Sequence, residues 1–383
     1  MPLKNNKKIP MELYIHIPFC VKKCDYCDFL SGPADGERKK AYTEALLAEI
    51  RGIPLSERAS REIISVFIGG GTPSLIEAAD VERILETLRK YFSFSPDAEI
   101  TIEANPGTLT GEKLEIYRKA GIGRLSLGLQ STEDRLLRTL GRIHTWQDFL
   151  ESYRKARQAG FENINVDLMC AVPGQTYKDW ISSLRTVAEL SPEHISAYSL
   201  IIEPGTPFAG RKLDLPDEDT EYRMYEDTAS VLEEYGYEQY EISNYARKGY
   251  ACRHNIGYWI GTDYLGIGLG ASSLFAGRRF CNTDSMEQYL KYSSVPEKIR
   301  KDTVVLTKKE QEEEFMFLGL RMTEGVSEKK FRLRFGIPME QIYGEVLEKY
   351  KNMGFLEKKE DFWRFTRKGI HVSNHILADF LQD

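Results

Sequence analysis

Between residue 11 and about residue 205, short β-rich runs alternate with longer stretches of helical periodicity, and this alternation constrains the fold more than any single motif. Strands read at Leu13–Ile17, Ile63–Ile68, Glu99–Glu103, Arg124–Leu129, Asn163–Leu168 and His194–Leu200. Helix-like stretches such as Ala41–Ile50, Val81–Tyr91, Gly111–Ala120 and Tyr177–Leu190 lie between them. Strand and helix repeated this way predict a parallel sheet. Six units are too few for the eight of a closed barrel, so the expected fold class is α/β, an open six-unit (β/α) partial barrel of parallel strands. Ligands of such sheets meet the C-terminal strand ends. The unusual residues fall there: Cys20 after the first strand, Gly69-Gly70-Gly71-Thr72-Pro73 after the second, Glu103 and Asn105-Pro106 at the third, and Gln130 after the fourth, while Asp167 lies within the fifth.

After Glu203-Pro204-Gly205-Thr206-Pro207 the pattern changes to a charged helix from Glu218 to Glu234, a Tyr-rich stretch and a Gly-rich stretch around residues 261 to 271. From about Thr307 the chain reads as helices ending in a hairpin, with Gly354-Phe355-Leu356 and Trp363-Arg364-Phe365-Thr366 as its arms. The expected organisation is a partial barrel over 1–205, a barrel extension over 206–306 and a small winged-helix-like domain over 307–383. At 383 residues, a large domain plus a smaller one is the natural division.

A net charge of -6 and a pI near 5.8 provide no basic stripe for a phosphate backbone, so nucleic acid is not an expected partner. No apolar run reaches the length of a membrane span, and Met1–Lys8 lacks the apolar core of a secretory signal. A cytoplasmic location is therefore expected. Six cysteines are too sparse for a disulfide scaffold, and three of them sit within one loop, which in a reducing compartment favours metal.

That loop, Cys20-x3-Cys24-x2-Cys27, directly follows the first strand. Three thiolates can bind three corners of an iron–sulfur cubane and leave one iron open. The amine and carboxylate of an amino acid can chelate that iron, placing a sulfonium beside an electron donor and allowing one-electron cleavage to a carbon radical. A structural zinc site is the alternative, but zinc wants four tetrahedral ligands and no second cysteine pair is present. Pro18, Phe19, Tyr26 and Phe29 are expected to shield the loop from water. In the run Gly69–Pro73, glycines let main chain approach a ligand closely and Pro73 fixes the exit.

With the cysteine loop and the glycine run together, the chain resembles the radical S-adenosylmethionine (SAM) superfamily. Further stretches are similar to its coproporphyrinogen III oxidase-like group, the HemN and HemW proteins: Tyr14 through Phe19, Glu103-Ala104-Asn105-Pro106, Ser126 through Ser131, Leu140 through His144, and Asn165 through Met169 with Pro173 through Thr176. The resemblance implies a 4Fe-4S cluster on Cys20, Cys24 and Cys27, and SAM contacts from Tyr14, Tyr26, Gly70, Gly71, Thr72, Glu103, Gln130, Arg142 and Asp167. The chemistry suits that ligand. Glu103 and Asp167 can accept from ribose hydroxyls or an ammonium, and Arg142 can pair with a carboxylate.

Two departures separate the HemW type from the oxidase. The oxidase carries a fourth cysteine two positions after the third, whereas Asp28 and Phe29 follow Cys27, and the stretch before Tyr14 is short. The run His254-Asn255-Ile256-Gly257-Tyr258-Trp259 resembles the His-Asn-x-x-Tyr-Trp motif of the HemW group. Physically, His254 offers an imidazole for heme iron, while Tyr258 and Trp259 offer flat faces for a porphyrin. Cys252 is an alternative thiolate ligand, and the run Gly266-x-Gly268-x-x-Ala271 reads as close packing, not dinucleotide binding.

The resemblance thus implies a heme chaperone that binds heme and transfers it to apo-hemoproteins, with coproporphyrinogen III oxidase or another radical SAM activity as the alternative. Whether the chain is an enzyme, associates peripherally with a membrane or forms a homodimer stays open at this point.

Overall fold

A computed structural model describes residues 8 to 382, so the expectation for the leading residues Met1–Lys7 lies outside the described region. The centre of the fold is a sheet of parallel strands: β1 (Ile9–Ile17), β2 (Arg61–Gly70), β3 (Ser93–Ala104), β4 (Arg124–Gln130), β5 (Ile164–Cys170) and β6 (His194–Ser199), which pair in sequence order. The segment after residue 206 flanks both edges of this sheet. β7 (Glu238–Gln239) and β8 (Asn244–Ala246) run beside β6, with β8 antiparallel to it. On the other side β9 (Tyr264–Ile267) joins β1 in parallel, followed by β10 (Ser272–Phe275), β11 (Arg278–Asn282) and β12 (Arg300–Val305) in antiparallel pairing. The result is an open twelve-stranded sheet, and among the described residues it does not close into a barrel.

Alternation along each strand sorts the two faces. Leu13, Ile15 and Ile17 of β1, Val66 and Ile68 of β2, and Leu125, Leu127 and Leu129 of β4 are buried under helices. In the helix Ala78–Tyr91 the buried residues Val81, Ile84, Leu85 and Leu88 recur at helical spacing, and each such side chain contributes about 1.5–3 kcal/mol on burial. Thr145 and Thr176 form capping boxes with Asp148 and Asp179, which start the helices Trp146–Gln158 and Tyr177–Glu189 at fixed points. The opposite face of the strands is polar, and it forms the inside of the curved sheet.

The C-terminal unit has its own core, including Met316, Phe331, Leu347, Trp363 and Ile376. Its order is a helix (Lys308–Gly319), β13 (Val326–Ser327), two helices (Glu328–Phe335 and Glu340–Asn352), then β14 (Leu356–Lys359) and β15 (Phe362–Phe365), the arrangement of a winged helix. The hairpin arms lie slightly differently from the sequence reading, because the two-residue turn Glu360–Asp361, with Glu360 at φ 54°, sets the register. Among the described residues no helix is long and apolar enough to cross a membrane.

Candidate functional site

The inner face is layered. At the N-terminal ends of the strands, Glu12, Ser65, Arg124, Asn165 and His194 are fully buried. Further along the same face, Tyr14, Phe67, Glu103, Asp167 and Tyr198 are half-buried. The lower layer is closed by the helix Arg253–Trp259, whose first N–H group, on Arg253, donates to Glu99 (3.0 Å). The upper layer opens towards the cysteine loop.

Main-chain bonds hold that loop over the strand ends. Cys20 N donates to Gly32 O (3.0 Å), Gly32 N to Pro18 O (3.0 Å), and Asp25 N to Leu140 O (3.0 Å). Gly141 lies so close that a Cβ there would meet Asp25 Oδ1 at 2.8 Å. Cys20, Cys24 and Cys27 are free, partly exposed thiols, and burial pushes that of Cys27 up. Among the described residues no three Cys, His, Asp or Glu side chains gather tightly enough around one point for a single ion. A cubane instead takes its three thiolates at separate iron corners. His16 braces the loop and is not a ligand: its Nε2 donates to Leu30 O (2.9 Å), and its Nδ1 accepts from the Tyr14 hydroxyl (3.0 Å). One expectation fails here. Pro18 and Phe19 are buried and Tyr26 partly so, but Phe29 is 60% exposed, because it sits at the outer bend of the loop, beyond the reach of the sheet.

The glycine run meets the loop through backbone. Gly71 N donates to Ile17 O (2.9 Å) and Thr72 N to Phe19 O (2.7 Å). A Cβ on Gly71 would lie 2.6 Å from Phe19 O, and one on Gly70, at φ 112°, 2.5 Å from the His16 ring. Glu103 accepts from Gly70 N (3.0 Å), and burial next to Asp167 pushes its carboxyl up to about 8. Burial also raises Asp167, which accepts from Asn165 Nδ2 (2.7 Å). Gln130, the last residue of β4, takes the left-handed conformation (φ 76°) and accepts from the Tyr198 hydroxyl (2.8 Å). Arg142 donates to the Gly128 carbonyl and to Asn105 Oδ1 and comes within 3.6 Å of Cys24 Sγ. Thr72 Oγ1 comes within 3.7 Å of Cys20 Sγ. A small cleft of about 30 Å³ is lined by Cys24, Thr72, Asn105, Pro106, Gly141 and Arg142. These contacts draw Gly70, Gly71, Thr72, Glu103 and Arg142 together around the loop. Tyr14 and Asp167 sit deeper on the same face. Sequence reasoning placed Asn105 among the unusual residues at a strand end without naming its partners, and gave no role to His16 or Tyr198, for which period-two alternation on the strands was the signal available.

His254 lies elsewhere. It is 1% exposed, on the helix that closes the N-terminal end, at the opposite end of the strands from the cysteines. Ser65 Oγ is 2.8 Å from its Nδ1, the Tyr258 hydroxyl 3.1 Å from its Nε2, and its ring stacks on Phe67 at 5.2 Å. Burial pushes its imidazole down to about 3. Both ring nitrogens are engaged in this arrangement. Cys252 is buried, with its thiol pushed up to about 12 by burial, and Sγ lies 3.5 Å from Glu99. Gly266 and Gly268 pack tightly: a Cβ at either would lie within 2.7 Å of neighbouring atoms.

Comparison with known proteins places these features in context. The Radical SAM superfamily profile matches residues 14–187, and the HemN C-terminal domain matches residues 306–372. The chain is 38% identical over 378 residues to "Heme chaperone HemW" of Lactococcus lactis, covering 98% of each chain. Proteins of the same name match from Bacillus subtilis (38%, covering 96% of this chain and 98% of the relative) and from Escherichia coli (36%, 98% and 99%). Among solved structures, coproporphyrinogen III oxidase (HemN) of Escherichia coli has the same fold, with a TM-score of 0.85 at 24% identity over 98% of this chain and 91% of that one.

Proposed function

The chain belongs to the radical SAM superfamily and, within it, to the HemW family, and from that premise we propose that it is a heme chaperone that binds heme and hands it to apo-hemoproteins, carrying a 4Fe-4S cluster and SAM. The observation that carries this reading is the match to heme chaperones over 98% of both chains. It is supported by the absence of a fourth thiol two residues after Cys27, where exposed Phe29 stands.

The residues fit the groups assigned to them. Cys20, Cys24 and Cys27 supply three soft thiolates from one loop, and Gly70 and Gly71 leave main chain bare where a Cβ would clash. Glu103 and Asp167, both raised by burial, would be drawn back to their ionised forms by a ligand ammonium placed beside them. With Tyr14, Tyr26, Thr72, Gln130 and Arg142 they form the SAM site of this proposal. When bound, the cluster and SAM supply an electron donor beside a sulfonium. Thr72 and Arg142 orient the loop by reaching towards Cys20 and Cys24.

For heme, the proposal assigns iron ligation to His254. In this structure its nitrogens are engaged by Ser65 and Tyr258, so an iron would have to displace one of these two contacts. A cytoplasmic location, peripheral membrane association and a homodimer accompany this reading as secondary expectations.

Anaerobic titration of the reconstituted protein with heme, followed at the Soret band, tests it. Stoichiometric binding that weakens in His254→Ala is expected. No binding overturns the chaperone reading, and unchanged binding by the variant overturns the ligand assignment. Conversion of coproporphyrinogen III to protoporphyrinogen with reductant and SAM would replace the reading with the oxidase.

A further inference from the structure

Asn105 joins the two side chains that reach the cysteine loop. Its Nδ2 donates to Thr72 Oγ1 (2.7 Å), and its Oδ1 accepts from Arg142 (2.7 Å). Thr72 then lies 3.7 Å from Cys20 Sγ, and Arg142 lies 3.6 Å from Cys24 Sγ. One amide therefore links donors to two of the three thiols.

The chemistry gives this chain a direction. A hydroxyl has one hydrogen, and because Asn105 donates to its oxygen, the Thr72 O–H is left free to point at the Cys20 sulfur. Asn105 Oδ1 and the Gly128 carbonyl both engage one Arg142 nitrogen, which turns the other towards Cys24. Gly128 makes room for this: a Cβ there would lie 3.0 Å from Asn105 Oδ1 and 3.2 Å from Arg142. Asn105 is itself fixed just after β3 by its carbonyl, which accepts from the Thr108 hydroxyl (2.7 Å), and by Pro106 next to it.

Resting on the proposed reading that Cys20, Cys24 and Cys27 hold the cluster, we infer that Asn105 is a positioning residue that keeps one neutral and one cationic hydrogen bond on the ligating sulfurs, and thereby raises the reduction potential of the one-electron 2+/1+ couple. Hydrogen bonds and positive charge at the sulfurs favour the reduced, more negative cluster. Asn105 makes no hydrogen bond to a cysteine sulfur and acts through Thr72 and Arg142.

The test is a mediated potentiometric titration followed by EPR on anaerobically reconstituted wild type, Asn105→Leu, Thr72→Val and the double variant, with iron and acid-labile sulfide counted in each. The expected result is full iron content, a more negative midpoint in Asn105→Leu, and a smaller effect of Thr72→Val on the Asn105→Leu background than on wild type, because the residues act in series. An unmoved midpoint at full iron content overturns the inference, as do single shifts that add fully. Where Asn105→Leu takes up less iron, Asn105→Asp replaces it. Its carboxylate accepts from Arg142 but captures the Thr72 hydrogen, so Thr72→Val is expected to be silent on that background, and a full Thr72→Val shift overturns the inference. A wild-type chain that takes up no iron and sulfide sinks the cluster reading itself, a failure distinct from an unmoved potential.

Discussion

Replacing Glu12 by Gln should change how stability depends on pH, because Glu12 is a carboxyl group enclosed where the strands are plugged. It is 0% exposed, neither of its oxygens is hydrogen-bonded, and His254 Nδ1 is 3.8 Å away. Gly257 makes the fit possible: a Cβ there would lie 2.1 Å from Oε1. Burial pushes the carboxyl up from 4.5 to about 8; nearby Ser65, whose hydroxyl faces His254, offsets part of this, and Glu99 adds to it. The folded chain therefore keeps a proton that the unfolded chain releases above about pH 4.5. Stability from this group is fully present below that pH and is lost as pH rises towards about 8. The loss is about 1.4 kcal/mol per pH unit, or about 3 kcal/mol between roughly pH 5.5 and 7.5. Gln is neutral throughout. Urea unfolding of wild type and Glu12→Gln across this window should therefore show the difference in stability widening by about that amount in favour of the variant. His254, pushed down from 6.5 to about 3, takes up a proton only on unfolding, so its own contribution rises as pH rises towards about 6.5; both proteins share it, and it cancels in the difference between them. A pH-independent difference would refute the reasoning.

Two substitutions probe close backbone approaches. Gly71→Ala places a Cβ 2.6 Å from Phe19 O and 2.9 Å from Phe19 N, both main chain, so the residue before Cys20 must shift. A cost of about 1–3 kcal/mol and reduced iron uptake on reconstitution are expected, and wild-type iron content at an unchanged Tm would contradict this. Gly257→Ala should push the helix Arg253–Trp259 off Glu12 at a similar cost of about 1–3 kcal/mol, measured by urea unfolding; an unchanged midpoint would show that the plug is looser than described.

The strand–helix alternation was legible because each unit announces itself locally. Apolar β-rich runs mark the strands, and helical spacing of apolar residues marks stretches such as Val81–Tyr91. The third strand begins earlier than the sequence suggests, at Ser93, because pairing of Ser93 and Phe94 with Glu62 and Ile63 of β2 overrides the local Pro96-Asp97 signal. The way residues 206–306 divide between the two sheet edges is a tertiary choice that no local signal encodes.

The cysteine loop and glycine run were readable because their chemistry is contiguous. The distant neighbours of His254 were not: Ser65 is 189 residues away in sequence, and Glu12 reads as an ordinary surface carboxylate until its strand is buried. The partners of Asn105 likewise appear only when Thr72, just after β2, and Arg142, in the loop between the helices Asp134–Thr139 and Trp146–Gln158, converge on it.

Heme transfer from the loaded chain to an apo-hemoprotein, followed anaerobically by the acceptor's Soret spectrum, tests the central claim most directly. The account predicts stoichiometric transfer faster than the acceptor's uptake of heme from buffer, and slower transfer from His254→Ala. Heme that stays on the chain, or reaches the acceptor no faster than free heme does, would contradict it.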